Sequence, residues 1–322
     1  MDEVNLAPDL IDRTAAAFTR FASIFGAEHL AFVALAAIPA AIWLYIFFRH
    51  QRENKLLTVV TFLGGMLGVV PIFILQHEIT RIEGWIEAAS LSAILMIFLK
   101  GMWVGIYEET AKHWILKSTG RRFFRNIDDA IQLSIVVGLG FAFTENALYF
   151  YSIWNNPAIS NFWFYFIFRS IGSMFLHILA SGIFGYFYGI AHFAKPILQE
   201  ELKQGGDLTT TKWLHRILHL KSEVIFYEQK ITQGLLVAAV LHGVFDFLMG
   251  MSQHYSDAGS AIGTKLWLVS AVPFLVGGYF WLTYLLDRKE NHKLYAKVCE
   301  KEECDILEVE RIDIEKTIGN LG

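Results

Sequence analysis

"GIYEETAKHW", residues 105–114, sits inside an apolar run of about 88–117 that reads "AASLSAILMIFLKGMWVGIYEETAKHWILK". A helix needs roughly 20 predominantly apolar residues to cross a bilayer. This run is long enough, and crossing would put Glu108, Glu109, Lys112 and His113 at membrane depth. Ionisable groups there are costly and usually mark a functional site. What those four side chains do depends on what surrounds them.

The chain has 322 residues, of which 54% are hydrophobic and 18% charged. An ordinary soluble domain carries about 25% charged residues. About seven segments are long and apolar enough to span: 30–48, 56–76, 88–117, 129–154, 162–194, 231–252 and 265–286. No series of alternating strands is present, so the spans must be helices. The expected fold is all-α, a polytopic transmembrane helical bundle of about seven spans. It divides into an extracytoplasmic N-terminal segment (1–29), a transmembrane domain (30–286) with its catalytic core at 88–252, and a cytoplasmic tail (287–322).

The start, "MDEVNLAPDLIDRTAAAF", is acidic and lacks the basic region of a cleavable signal peptide. Lys and Arg concentrate in the linkers at 47–55, 117–126 and 195–230 and in the tail. The linkers at 77–87, 154–161 and 252–263 are poor in them. By the positive-inside rule the N-terminus lies outside and the C-terminus in the cytoplasm of a bacterial inner membrane. A formal charge of −4 with no basic aromatic patch does not suggest a nucleic-acid partner, and none is expected. Cys299 and Cys304 fall in the reducing cytoplasmic tail, and two cysteines make no metal site there. Within the 195–230 linker, "TTKWLHRILHLKSEVIFYE" has amphipathic helical spacing.

Inside the spans the ionisable groups are few. They are Glu108, Glu109, Lys112 and His113 on the third, Glu145 on the fourth, Arg169, His177 and His192 on the fifth, and His242 and Asp246 on the sixth. Helical spacing aligns them with small residues: Gly101, Gly105, Glu108 and Lys112; Gly138, Ala142 and Glu145; Ser170, Ser173, His177, Ser181 and Gly185; Ala239, His242, Asp246 and Gly250. Small residues let membrane helices approach closely, so these stripes should face the bundle interior. From the cytoplasmic ends, Glu108 and His242 lie about 15 Å deep, and Glu145 and His177 about 25 Å. One shared cavity is the expectation.

Each group also has a plain structural reading. Lys112 can pair with Glu108 one turn away, and Glu109 with His113. Glu145 and Asn146 can be an interhelical hydrogen-bonding pair, His177 a satisfied interior histidine, and His242 with Asp246 one hydrogen bond. Arg169 and His192 read as snorkelling or structural groups. So many such groups on four consecutive spans argue against an all-structural account.

"EETAKHW", "FAFTENALYF", "FLHILASGIFGYFYG" and "LHGVFDF" resemble the ordered motifs of the PrsW family. Those are bacterial intramembrane proteases related to CAAX-processing and bacteriocin-processing enzymes. The pattern is EExxK, FxxxEN, a histidine on the next helix, then HxxxD. The resemblance implies proteolysis by Glu108 and Glu109, with Glu145, His177, His242 and Asp246 completing the site and Lys112 and Asn146 supporting it. It implies single-span membrane substrates such as anti-sigma factors. The wider superfamily has histidine where this chain has Glu145, and often asparagine where it has Asp246.

The residues themselves suit hydrolysis. Water needs a base, and the developing oxyanion a donor. Glu108 and Glu109, or either with Glu145, could share one proton and serve as base and acid in turn. His242 or His177 could donate to the oxyanion, with Asp246 fixing the tautomer of His242. GxSxG, HExxH and an intramembrane cysteine are all missing from the sequence. Glutamate-activated water with no cofactor is the preferred reading. The alternative is zinc held among Glu109, Glu145, His177, His242 and Asp246. A proton- or cation-coupled transporter is the reading from another class, although the polar block has no matching second set. The cavity is expected to open towards the cytoplasm, with Lys112 oriented by Glu108 near its mouth.

Overall fold

The computed structural model describes residues 6–48, 55–88, 91–119, 123–156, 161–195, 197–198, 209–257, 272 and 275–284. All of these that form regular structure are helical, and no strand occurs among the described residues. The elements are α1 (Leu6–Ser23), α2 (Leu30–Phe48), α3 (Lys55–Leu67), α4 (Val69–Ile74), α5 (Gln76–Ala88), α6 (Ala93–Thr119) and α7 (Ile127–Trp154). Then come α8 (Phe162–Phe168), a π-helical turn (Arg169–Ser173), α9 (Met174–His192), α10 (Thr209–Leu218) and α11 (Ser222–Asp257). Residues 275–284 are also helical.

Among the described residues, four helices are long and apolar enough to cross a membrane: Lys55–Ile74, Ile127–Trp154, Phe162–His192 and Ser222–Tyr255. Leu30–Ile46 is a shorter apolar helix. Helix α6 has 27 residues, about 40 Å at the α-helical rise, and carries the Glu108–Lys112 charges along it. The expected seventh span, 265–286, and the tail with Cys299 and Cys304 lie largely outside the described residues.

Local chemistry sets the boundaries. Pro71 has no N–H and its ring crowds the carbonyl four residues back, which separates α3 at Leu67 from α4 at Val69. Helix α7 opens with Asn126 as N-cap, its side chain accepting from the Asp129 N–H at 2.8 Å. Asp128 and Asp129 then place negative charge in the first turn, where the helix dipole favours it.

Helices α7 and α9 form the buried heart. Both are apolar on nearly every face and buried on nearly every face, as a helix surrounded by others must be. They run antiparallel, α11 packs on α9, and α6 packs along α11. Small residues permit these crossings. A Cβ on Gly105 would lie 2.8 Å from the backbone N of Gly243, and one on Gly101 2.8 Å from the Gly243 carbonyl. On the other crossing, a Cβ on Gly138 would lie 2.9 Å from the His177 carbonyl. The small-residue stripes therefore bring α6 onto α11 and α7 onto α9, and with them their polar groups.

Gly105→Val should destabilise the protein by about 1–3 kcal/mol or more, because the group it meets is backbone and cannot move aside. Gly84→Ala, where an added Cβ meets nothing within 4 Å, should be neutral or stabilising by up to about 1 kcal/mol. Unfolding midpoints in detergent would compare them. Equal stability of Gly105→Val and the parent would mean that α6 and α11 are not this close.

Candidate active site

Four helices each deliver their polar residues to one cluster. Helix α6 brings Glu108, Glu109 and Lys112, α7 brings Glu145 and Asn146, α9 brings His177, and α11 brings His242 and Asp246. Glu108, Glu109, Lys112, Asn146, His177 and His242 are buried, while Glu145 and Asp246 are partly exposed.

Lys112 is the centre. Its Nζ donates to Glu109 Oε1 at 2.6 Å and lies 2.8 Å from His177 Nδ1. As an ammonium it can only donate, so His177 Nδ1 accepts and its proton sits on Nε2. That N–H donates to Glu145 Oε2 at 2.9 Å. The other Glu145 oxygen, Oε1, is 2.7 Å from an Arg169 guanidinium nitrogen. Arg169 Nε also donates to Asn146 Oδ1 at 2.7 Å. On the other side, His242 Nδ1 lies 2.8 Å from Glu109 Oε1, so the carboxylate accepts and His242 carries a proton on Nδ1. His242 Nε2 faces Glu108 Oε2 at 3.6 Å and Asp246 Oδ2 at 3.5 Å, both beyond hydrogen-bonding length. Glu108 Oε2 is buried with no hydrogen-bond partner. The two imidazoles meet edge to face, 5.2 Å between centroids.

The structure corrects several expectations. Lys112 binds Glu109 three residues back, with Glu108 Oε2 at 3.8 Å, because His177 draws the ammonium to that side. His113 does not pair with Glu109; it packs edge-on against Phe184 and Tyr188. The tautomer of His242 is set by Glu109 on Nδ1, not by Asp246. Arg169 is no snorkelling group: it binds Glu145 and Asn146 and lies 4.1 Å over the Tyr149 ring. Its membership was legible in the spacing, since Arg169, Ser173 and His177 fall at i, i+4 and i+8 on one helical face. His192 packs on Phe124, about 22 Å along the helix from His177.

The side chain of Lys112 is 4% exposed, whereas those of Glu145 and Asp246 are 31% and 30% exposed. Below Lys112, towards the 117–126 linker, Ile115, Leu116, Val137, Ala180, Phe184 and Tyr188 form a packed apolar cluster. Packed apolar side chains thus lie at the end where the cavity was expected to open. The more exposed side of the cluster is the one bearing Glu145, Asp246 and Tyr149.

Three side chains could hold a metal ion. Ligand atoms of Glu108, His177 and His242 all lie within 4.8 Å of one another. Two imidazoles and a carboxylate are a zinc donor set, and the unpartnered Glu108 oxygen suits it. This differs from the expected ligand set: Glu109 is engaged by Lys112 and His242, Glu145 by Arg169 and His177, and Glu108 takes their place. For His177 to ligate, it must release Lys112 from Nδ1 or Glu145 from Nε2.

Residues 53–205 match the family model described as PrsW family intramembrane metalloprotease. The chain is similar to the PrsW proteases. Protease PrsW of Shouchella clausii (strain KSM-K16) is 24% identical over 263 residues, covering 80% of this chain and 95% of that protein. Protease PrsW of Bacillus subtilis (strain 168) is 24% identical over 241 residues, covering 74% and 84%. No solved structure matches the chain. The PrsW family model ends before α11, so His242 and Asp246 lie beyond the matched stretch. With the PrsW relatives, the apolar helices place the chain in a bacterial membrane.

Lys112→Met would leave Glu109 as a buried charge bonded to His242 without its ammonium, at a cost of about 3–5 kcal/mol. In the Glu109→Gln background the same substitution should cost less than half as much, a coupling that a double-mutant cycle reads directly. Additive losses would mean that the Lys112–Glu109 bond does not carry the stability.

Proposed function

We propose that the chain hydrolyses a peptide bond in or beside the membrane, in single-span proteins such as anti-sigma factors, with Glu108 as the base. One observation carries the assignment. Of the two adjacent glutamates, Glu109 is held by Lys112 and His242, whereas Glu108 Oε2 is buried without a hydrogen-bond partner. A catalytic base must have an oxygen free to take a proton.

In this reading Glu108 removes a proton from the attacking water as its oxygen adds to the scissile carbonyl. The oxyanion forms on the side of His242 Nε2, whose positive form Glu109 stabilises through Nδ1–H. Glu108 then passes its proton to the departing amine as the carbon–nitrogen bond breaks, which restores the carboxylate. His177 and Lys112 keep Glu109 and His242 in register. Asp246 faces His242 from one turn away.

A second reading is supported by the Glu108, His177 and His242 cluster and by the description of the matching family. A zinc ion held by these three would supply Lewis-acid activation of the carbonyl and of water. Glu108 is indispensable in either reading. Seven spans with the N-terminus outside remain the topology that the Lys and Arg pattern supports. In that orientation the exposed side of the cluster faces away from the cytoplasm, and substrate enters from the outer half of the bilayer.

With purified protein and a panel of single-span substrates, Glu108→Gln should abolish cleavage while leaving the unfolding transition in place. A chelator should leave cleavage intact if glutamate alone acts, and remove it if zinc takes part. Cleavage by Glu108→Gln at the parent rate would sink both readings. Entry can be tested after replacing Cys299 and Cys304, the chain's 2 cysteines, with Ser. An impermeant thiol reagent should label Tyr149→Cys from outside and Leu116→Cys from neither face. Labelling of Leu116→Cys from the cytoplasm would reverse the assignment.

A further inference from the structure

Arg169 stands at the first position of the π-helical turn that interrupts the fifth expected span. Such turns insert one residue into a helix and are frequent at functional sites. The guanidinium meets three groups: its Nη2 is ion-paired with Glu145 Oε1 at 2.7 Å, without hydrogen-bond alignment, its Nε donates to Asn146 Oδ1 at 2.7 Å, and it lies 4.1 Å over the Tyr149 ring. All three partners lie on one turn of α7. A residue needed only to satisfy Glu145 would not require the second and third contacts. Together they hold the planar fork against α7 with its charge beside the Glu145 carboxylate.

We propose that Arg169 is a positioning residue of this site, acting through Glu145 on His177. Glu145 has two oxygens with two different partners, Arg169 on Oε1 and the His177 Nε2–H on Oε2. Anchoring the first directs the second. The anchored carboxylate holds the His177 ring so that Nδ1 meets Lys112 at 2.8 Å. Lys112 in turn meets Glu109, and Glu109 meets His242. One chain of contacts, an ion pair followed by four hydrogen bonds, thus runs from Arg169 to the imidazole that faces Glu108. As far as it concerns rate, this role rests on the hydrolytic reading above. The bonding order does not.

The test therefore has an arm that needs no substrate. In protein carrying 15N-histidine, the His177 Nε2–H should give a slowly exchanging ring signal, identified by its disappearance in His177→Gln. Arg169→Met should lose that protection while the unfolding transition persists, and Arg169→Lys, which keeps a charged donor for Glu145, should recover most of it. If Arg169→Met does not fold, Arg169→Gln, which keeps a donor without the charge, takes its place with the same expectation. An unchanged protected signal in the uncharged variant would overturn the proposal whatever the enzyme's activity. In the cleavage arm, Arg169→Met should lower kcat by about 100-fold with KM nearly unchanged, as misplacement by about 1 Å does. In the Glu145→Gln background it should add almost nothing. Independent, multiplicative losses would equally overturn it. Failure of the parent to cleave any substrate would count against the proposed function alone.

Discussion

One buried ammonium holds the centre of this molecule together. Lys112 donates to a carboxylate on its own helix and to an imidazole on α9, at a depth where neither water nor lipid could replace either partner. Removing a charge from water costs several kcal/mol even after relaxation, and only close, well-directed partners offset it. The positions of α6 and α9 are therefore tied to each other by chemistry as well as by packing. Glu109, sharing one oxygen between Lys112 and His242, extends the tie to α11. Glu145 with Arg169 extends it to α7. Once each donor has an acceptor, protonation follows with little freedom: His177 carries its proton on Nε2 and His242 carries one on Nδ1.

That arrangement requires backbones to come unusually close, and the glycines supply it. Helices α6 and α11 touch through Gly101, Gly105 and Gly243, the same stripe that presents Glu108 and Lys112 two turns further on. Helices α7 and α9 touch at Gly138, against the carbonyl of the catalytic candidate His177 itself. Close approach brings short polar side chains within reach of one another, which bulkier crossings would hold apart. Packing and chemistry share the same faces of the same helices.

Much of this was legible in the sequence. Polar residues in apolar runs are conspicuous, and a period of 3.6 places Glu108, Glu145, His177, His242 and Asp246 on small-residue faces without any coordinates. Choices made between helices were not legible. Whether Lys112 turns to Glu108 or Glu109 depends on where His177 stands, and His177 comes from a helix 65 residues away. The inward turn of Arg169 could be anticipated from its spacing to His177, but a lone arginine near a helix end reads equally well as snorkelling. The closed end of the site depends on α6, α7, α9 and α11 packing together around Tyr188 and Leu116. Apolar composition alone cannot distinguish that plug from a lipid-facing surface.

On the proposed reading, the resulting asymmetry is what a hydrolytic site in a bilayer would need. Nearly every polar group of the cluster is bound to another, which is what burial demands. A network satisfied throughout would be inert, since a base must accept a new proton and an oxyanion needs a donor. Among the carboxylates of the cluster the exception falls on Glu108 Oε2, which faces His242 Nε2 at 3.6 Å. The apolar plug closes the cluster on one side, while the exposed faces of Glu145 and Asp246 open it on the other. Water and a peptide bond can then meet the unsatisfied oxygen from a single direction. The surrounding bonds hold the remaining charges in place.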